Sequence, residues 1–364
     1  MPSRAWSIAG SFDGAAAVPR AIVQHAYGAP REALRLEEHP QADPAPDEVV
    51  VQVEAAAMHI ADLRALEGAE GFRYPLPRVP GYEGIGRVLR AGAMSGHRQG
   101  DRVFPALGSG TFREQVVCRG SDCLPAPEGD AAQLSLLTVN GATAAVLLED
   151  FTALQPGDWL VQNAANASCG RYLIGLARQA GVRTVNVVRR PELIEELHEL
   201  GADAVLVDGP DLALRVREAA GGAPLRLGID AVAGAATQRI AECLAPGAPL
   251  VAYGALSARP CEIDFYLMFR QGVVLHGLSF VRQLQRRTPQ QVRALYARLA
   301  GMIAGGELVA RIAARYPLEG IVDACEHAAR VGVDREGKIV IEPAAHRAAA
   351  PPTTSTARAA ASRG

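Results

Sequence analysis

Apolar and polar positions along the chain fall into three regimes. From Ala21 to about Gln133 the pattern has the short period of β structure. Val49-Val50-Val51-Gln52-Val53-Glu54 alternates into a buried strand, and Gly84–Leu89, Asp101–Phe104 and Phe112–Val117 add short strands between glycine- and proline-rich turns. Leu134 to Phe151 then reads as one helix, after which strand and helix patterns alternate. The apolar run Trp159–Val161 leads into a small-residue turn ending at Gly170. Tyr172, Leu173, Leu176 and Ala177 follow at helical spacing until Gly181, and Thr184–Val188 forms the next strand. Further strands are expected at Ala204–Val207, Leu227–Ala231, Leu250–Ala252 and Val273–Leu278. A helix from Pro289 to Gly305 carries Val292, Leu295, Leu299 and Ile303 on one face. β character returns at Leu308–Tyr316 and Lys338–Ile341. Residues 1–20 read as an unstructured leader and 344–364 as a low-complexity, disordered tail. The pattern predicts an α/β protein: a doubly wound parallel sheet (residues 139–280) inserted between two parts (21–138 and 281–343) of a β-rich domain, with a cleft where they meet.

The unit from Trp159 to Val188 is the βαβ arrangement that binds dinucleotides, because the helix N-terminus offers unpaired N–H groups and a positive dipole end to a pyrophosphate. Its glycine signature is reduced: Ala164-Ala165-Asn166-Ala167-Ser168-Cys169-Gly170 holds a single glycine. Alanine and serine permit close backbone approach but do not relieve a left-handed φ. The position 19 residues beyond Gly170 is Arg189, followed by Arg190. A free ribose 2′-hydroxyl calls for Asp or Glu there, whereas arginine fits a 2′-phosphate. The reading is an NADPH site; the alternative is an ordinary crossover with a solvated arginine pair.

The chain has 364 residues, room for two domains, with 49% hydrophobic and 21% charged residues. A net charge of −2 gives no electrostatic case for nucleic acid or an anionic membrane. No apolar run approaches a membrane span, and the first twenty residues lack the sustained apolar core of a secretory signal. Six scattered cysteines form neither a disulfide framework nor a zinc knuckle. The expectation is a cytoplasmic protein.

Several segments carry a family resemblance. GYEGIGRV at Gly81–Val88, GDRVF at Gly100–Phe104 and YPLEGIVDACEHAARVGVDREGKIVI at Tyr316–Ile341 resemble the medium-chain dehydrogenase/reductase superfamily, over nearly all of residues 20–343. That implies a Rossmann domain within a GroES-like catalytic domain. Zinc members place a ligand His before the Glu of the first motif, and here that residue is Tyr82. Their ligand Cys is missing from Met58–Asp62 and their four-cysteine lobe is missing altogether, so no metal is expected. His59, Asp62, Glu83 and Asp230 are read as structural. Gln162-Asn163-Ala164-Ala165-Asn166 with Gly170, the run Thr184–Pro191 and Leu137–Ala144 resemble the 2-enoyl thioester reductases more than the quinone oxidoreductases.

The resemblance implies site roles. Tyr74, in the loop before Gly81, aligns with a proposed proton donor; its ordinary pKa near 10 suits an acid, while the alternative is a ring lining the cleft. Tyr82 is the weaker candidate. Asn140, with Thr143 nearby, aligns near the nicotinamide, and Asn166, Ala167, Ser168 and Cys169 form the phosphate turn. Tyr253, Gly254, Ala255 and Leu256, together with Leu278, Ser279 and Phe280, line the nicotinamide side. Lys338 matches a lysine that reaches the cofactor. Arg282, Arg286 and Arg287 are either a solvated face or a contact for the phosphate of coenzyme A or an acyl-carrier protein. The function expected is NADPH-dependent reduction of the C=C bond of an α,β-unsaturated thioester, in a homodimer. Two alternatives stay open: a quinone or enone reductase, and an NADPH-binding protein without turnover.

Overall fold

The structure is a computed structural model that describes residues 18–69, 71–330 and 336–343. Its fifteen strands, numbered in chain order, fall into a hairpin and two sheets. The hairpin is β1 (Arg20–Gln24) and β2 (Leu34–Glu38). The catalytic sheet contains β3 (Glu48–Ala57), β4 (Ile85–Ala91), β5 (Arg102–Phe104), β6 (Gln115–Arg119) and β7 (Leu124–Pro125). The parallel sheet follows: β8 (Trp159–Asn163), β9 (Arg183–Val188), β10 (Ala204–Val207), β11 (Leu225–Asp230), β12 (Pro249–Ala252) and β13 (Val274–Gly277). The chain then returns with β14 (Ile312–Tyr316) and β15 (Lys338–Ile341) to complete a catalytic sheet ordered β14-β15-β3-β4-β5-β7, with β6 on β3.

The parallel sheet is ordered β10-β9-β8-β11-β12-β13. The order reverses between β8 and β11, so their carboxyl ends flank the crevice in which doubly wound sheets bind ligands. One hydrophobic core is continuous from the catalytic sheet (Ala55, Ile85, Phe104) through the helix Ser168–Gln179 (Tyr172, Leu173) to Ile229 and Val251 of the parallel sheet. The two sheets are thereby locked together.

Three expectations need correction. β1 begins at Arg20, inside the expected leader, because its guanidinium pairs with Glu114 at 2.9 Å and Glu319 at 2.6 Å. Residues 1–17 and 344–364 lie outside the described residues. The strand expected at Phe112–Val117 starts only at Gln115, since the Phe112 carbonyl is turned to accept from Ile22 N–H at 2.9 Å. Finally, Leu134–Phe151 is not one helix. It breaks into helices Ala131–Leu134 and Ala142–Glu149 around a wide π turn, Leu137–Gly141. The cause is Glu83, which accepts the Val139 N–H at 2.6 Å and withdraws it from the helical ladder.

Candidate active site

Glu83 is fully buried just before β4, and donors from three directions converge on it. Thr138 Oγ1 donates at 2.6 Å and Val139 N–H at 2.6 Å to Oε2; Oε1 faces His59 Nε2 at 2.5 Å and Asn140 Nδ2 at 3.5 Å. Lys338 Nζ lies 3.3 Å from His59 Nδ1. An ammonium can only donate, so Nδ1 must accept, and Nε2 carries the proton it gives to Glu83. Lys338, His59 and Glu83 thus form one polarised chain from β15 to the π turn, and wide turns of this kind recur at functional sites.

The next layer holds the tyrosines. Asp62 accepts from the His59 backbone N–H at 2.9 Å, and burial raises its pKa, opposed by its interactions with His59 and by the charges of Arg78 and Lys338. Tyr82 is half-buried; desolvation raises its pKa, helped by Tyr74 and Asp62, so it stays protonated at neutral pH. Tyr74 is 38% exposed, its ring covered by the Arg78 guanidinium 4.8 Å from the centroid and its carbonyl held by Tyr27 OH at 2.5 Å. Both phenols therefore belong to one electrostatic cluster with His59 and Lys338.

From the parallel sheet comes the turn that joins β8 to the helix Ser168–Gln179. Asn163 Nδ2 donates to Asp230 Oδ1 at 2.6 Å, and its Oδ1 accepts from Ala231 N–H at 2.8 Å, bridging β8 and β11 across the switch point. Asp230 also accepts from Thr237 Oγ1 and the N–H groups of Val232 and Ala233. Asp230, read as structural from the sequence, and Asn163 of the turn motif together tie the ends of β8 and β11. Ala164 sits at φ +49°, the left-handed conformation a glycine would supply without strain. A Cβ on Gly170 would meet Ala165 O at 2.7 Å, so this one retained glycine lets the helix lie against the turn. The helix starts at Ser168 with Ala167 as an extended N-cap that has no side-chain cap, leaving its first N–H groups for an anion.

The two halves meet at Cys169. Burial pushes its thiol up to about 12, opposed by a hydrogen bond with Tyr253 and the charge of Lys338. Tyr253 follows β12, and burial of its hydroxyl raises its pKa strongly. Leu278 and Phe280 pack half-buried on the same core, while Ala255, Leu256 and Ser279 are exposed beside them. Asn140, Cys169, Tyr253 and Lys338 are brought together; Asn166, Ala167 and Ser168 line the adjoining turn. The arginines separate: Arg189 is exposed just beyond β9, whereas Arg190 is bound to Glu336 at 3.3 Å. Arg287 is held by Asp150 at 2.6 Å, with Arg282 and Arg286 exposed.

The chemistry of the cofactor follows from this construction. A helix N-terminus without a side-chain cap, close-approach glycines at 170 and 254, and an exposed arginine at the second strand's end fit a dinucleotide with a 2′-phosphate. Among the described residues, no group of three or more His, Cys, Asp and Glu side chains is placed to hold a metal ion. His59 has both ring nitrogens engaged, one of them by an ammonium.

Two family models match, the alcohol dehydrogenase GroES-like domain over residues 45–128 and the zinc-binding dehydrogenase over 169–298. A mitochondrial enoyl-[acyl-carrier-protein] reductase of Caenorhabditis elegans is 33% identical over 302 residues, 80% of this chain and 87% of the relative. The chain belongs to the medium-chain dehydrogenase/reductase superfamily, in its enoyl reductase branch. Among solved structures, a putative NADPH:quinone reductase from Bacillus thuringiensis is 25% identical with a TM-score of 0.81, covering 89% of this chain and 98% of that one. Etr1p from Candida tropicalis, in a complex with NADP and crotonyl-CoA, shares the fold at 22% identity and a TM-score of 0.79, covering 89% and 99%. The cytoplasmic expectation is overturned, because the C. elegans relative is mitochondrial. That expectation rested on the lack of an apolar secretory core, which says nothing of addresses read in other ways. No helix among the described residues is long and apolar enough to cross a membrane.

Proposed function

We propose that the protein reduces the C=C bond of a 2-enoyl thioester with NADPH. The observation that carries this is the single cluster in which Lys338, His59, Glu83 and Asn140 from the catalytic side meet Cys169 and Tyr253 at the mouth of the phosphate turn. Its identity to the C. elegans reductase favours the thioester over the quinone.

When bound, NADPH supplies a hydride for the β-carbon of the polarised enoyl group. The backbone N–H groups of Asn166, Ser168 and Cys169 would hold the pyrophosphate, the Ala167 N–H being spent on the Ala164 carbonyl at 2.9 Å, and Arg189 would hold the 2′-phosphate, with Arg190 held in place by Glu336. Lys338 and Asn140 orient the reacting end, braced by His59 and Glu83. Tyr74 holds a proton at its hydroxyl for the α-carbon, and Tyr82, kept neutral by burial, excludes water beside it. Tyr253, Gly254, Ala255 and Leu256, with Leu278, Ser279 and Phe280, form the wall on the nicotinamide side. Arg282 and Arg286 are available to the phosphate of coenzyme A or an acyl carrier.

A homodimer completes the proposal. β13 is an edge strand with Val274 51% exposed, and the neighbouring helix Phe265–Gln271 exposes Phe265, Tyr266 and Phe269. An open edge beside an aromatic patch supports pairing with a second copy.

The test is NADPH consumption with crotonyl-CoA and, separately, a benzoquinone. Turnover of crotonyl-CoA that falls by about 10²–10⁴-fold in Tyr74→Phe is the expected result. Quinone turnover alone, unaffected by that substitution, would favour the quinone reading. Tight NADPH binding without turnover of either would reduce the protein to a cofactor-binding role.

A further inference from the structure

Outside the crevice, the catalytic sheet carries a second set of reactive groups. Cys118, on β6, and Cys123, directly after the three-residue turn Gly120–Asp122, bring their Sγ atoms to 3.0 Å of each other. Both are free thiols. The turn between them is rigidly held: Gly120 N–H donates to Asp47 O at 2.9 Å, His97 Nε2 lies 3.0 Å from Gly120 O, and Cys123 N–H donates back to Gly120 O at 3.1 Å. On the other side, Cys118 is fixed in register opposite Val49 of β3. A disulfide needs a sulfur separation of about 2.0 Å, so closure asks for a movement of about 1 Å in side chains whose backbones are already placed.

We propose that Cys118 and Cys123 are a reversible two-electron redox site that closes to an intrachain disulfide under peroxide. The Cys118 thiolate attacks one peroxide oxygen, the O–O bond breaks, and hydroxide leaves to give a sulfenic acid at Cys118. Cys123 then attacks that sulfur; the S–S bond forms, the S–OH bond breaks, and water departs. In total two thiols lose two electrons and two protons, and one hydrogen peroxide becomes two waters. The division of roles follows the geometry of the pair. Cys118 keeps 8% of its surface exposed against 2% for Cys123. The S–H of Cys123, donated to Cys118, favours the thiolate there, and the same bond holds the proton on Cys123. The remaining cysteines are not arranged this way: Cys169 bonds to Tyr253, Cys243 to the Arg239 carbonyl, Cys325 is buried under its own helix, and Cys261 is exposed.

The experiment uses the full chain, first reduced completely and freed of reductant. It is exposed to hydrogen peroxide, quenched, unfolded, alkylated with N-ethylmaleimide and mapped by peptide mass. The expected result is a fragment containing both Cys118 and Cys123 unalkylated and lighter by two hydrogen atoms, restored by dithiothreitol, also in a Cys261→Ser background. Dimedone should label Cys118 in Cys123→Ala but neither sulfur in the native chain. The native chain supplies an independent readout should that variant fail to fold, because its oxidised form should unfold at higher temperature than its reduced form. The proposal is overturned if both sulfurs remain alkylatable at a peroxide dose that consumes Cys261, or if either pairs with a different cysteine.

Discussion

Replacing Glu83 by glutamine tests whether the buried carboxylate organises the site. The side chain keeps its shape but gains an NH2 group where only acceptors now stand. If that group takes the Oε2 position it faces the Val139 N–H, 2.6 Å away, which cannot reverse its polarity. If it takes the Oε1 position it faces the His59 Nε2–H, fixed by Lys338 behind the ring. Either way two donors confront each other inside the protein, costing about 1–3 kcal/mol, and the surviving bonds lose charge assistance worth about 1 kcal/mol each. Relief of the buried charge's desolvation offsets part of this. The net expectation is a loss of about 2–4 kcal/mol, read as a fall in Tm of about 3–5 °C in a scan of the purified protein. The π turn should also loosen, so hydrogen exchange at Val139 should rise. An unchanged or raised Tm would refute the assignment of Glu83 as the acceptor hub.

Four other outcomes follow from the same geometry. Gly170→Ala forces a Cβ to 2.7–2.9 Å from Ala165 backbone atoms, so it should cost about 1–3 kcal/mol and weaken NADPH binding. Gly301→Ala, in the helix Pro289–Ala304 with nothing within 4 Å, should instead stabilise by about 0.5–1 kcal/mol in the same denaturation assay. Because burial raises the Cys169 thiol to about 12, only about one molecule in 10⁴ carries its thiolate at pH 8, and its reactivity should climb only as pH approaches 12. Native-state iodoacetamide labelling at pH 8 should mark Cys261 and spare Cys169; rapid labelling of Cys169 would contradict this. Finally, calorimetric titration should give NADPH a lower Kd than NADH, with Arg189→Ala narrowing the difference by about tenfold or more and Arg190→Ala having the smaller effect, since Glu336 already holds Arg190. Equal affinities in the native chain would remove the arginine argument.

Which features were legible in the chain follows from how far each depends on local periodicity. The strands at Ala204–Val207 and Lys338–Ile341 and the helix from Pro289 stand where the pattern predicts them, because the apolar residues that mark each are the ones it buries. The break at Leu137–Gly141 was not legible: the apolar spacing there is helical, and the residue that opens the ladder, Glu83, lies more than fifty positions upstream. The hairpin at Arg20 was hidden for a similar reason, being fixed by Glu114 and Glu319 rather than by alternation. At the site, the small-residue turn ahead of the helix at Ser168 was legible from its motif, and Lys338 lies close enough to act on Cys169 beside it. The coupling of Lys338 through His59 to Glu83 was not legible, as it joins three segments that only the fold brings together. The difference between Arg189 and Arg190 likewise depends on Glu336, which no spacing rule connects to them. Glu83 did have a sequence signal, a lone acid between two glycines in an otherwise apolar run, but it was read as a structural charge.

The claim at the centre of this account is that the crevice passes a hydride to the β-carbon of a thioester while the protein supplies a proton to the α-carbon. It is tested most directly by following isotope into product. With crotonyl-CoA and NADPH deuterated at the transferred position of the nicotinamide, in ordinary water, the butyryl-CoA formed should carry deuterium at C3 and none at C2. With unlabelled NADPH in heavy water the label should appear at C2. Deuterium from NADPH at C2, or recovery of unreduced crotonyl-CoA after prolonged incubation, would contradict it.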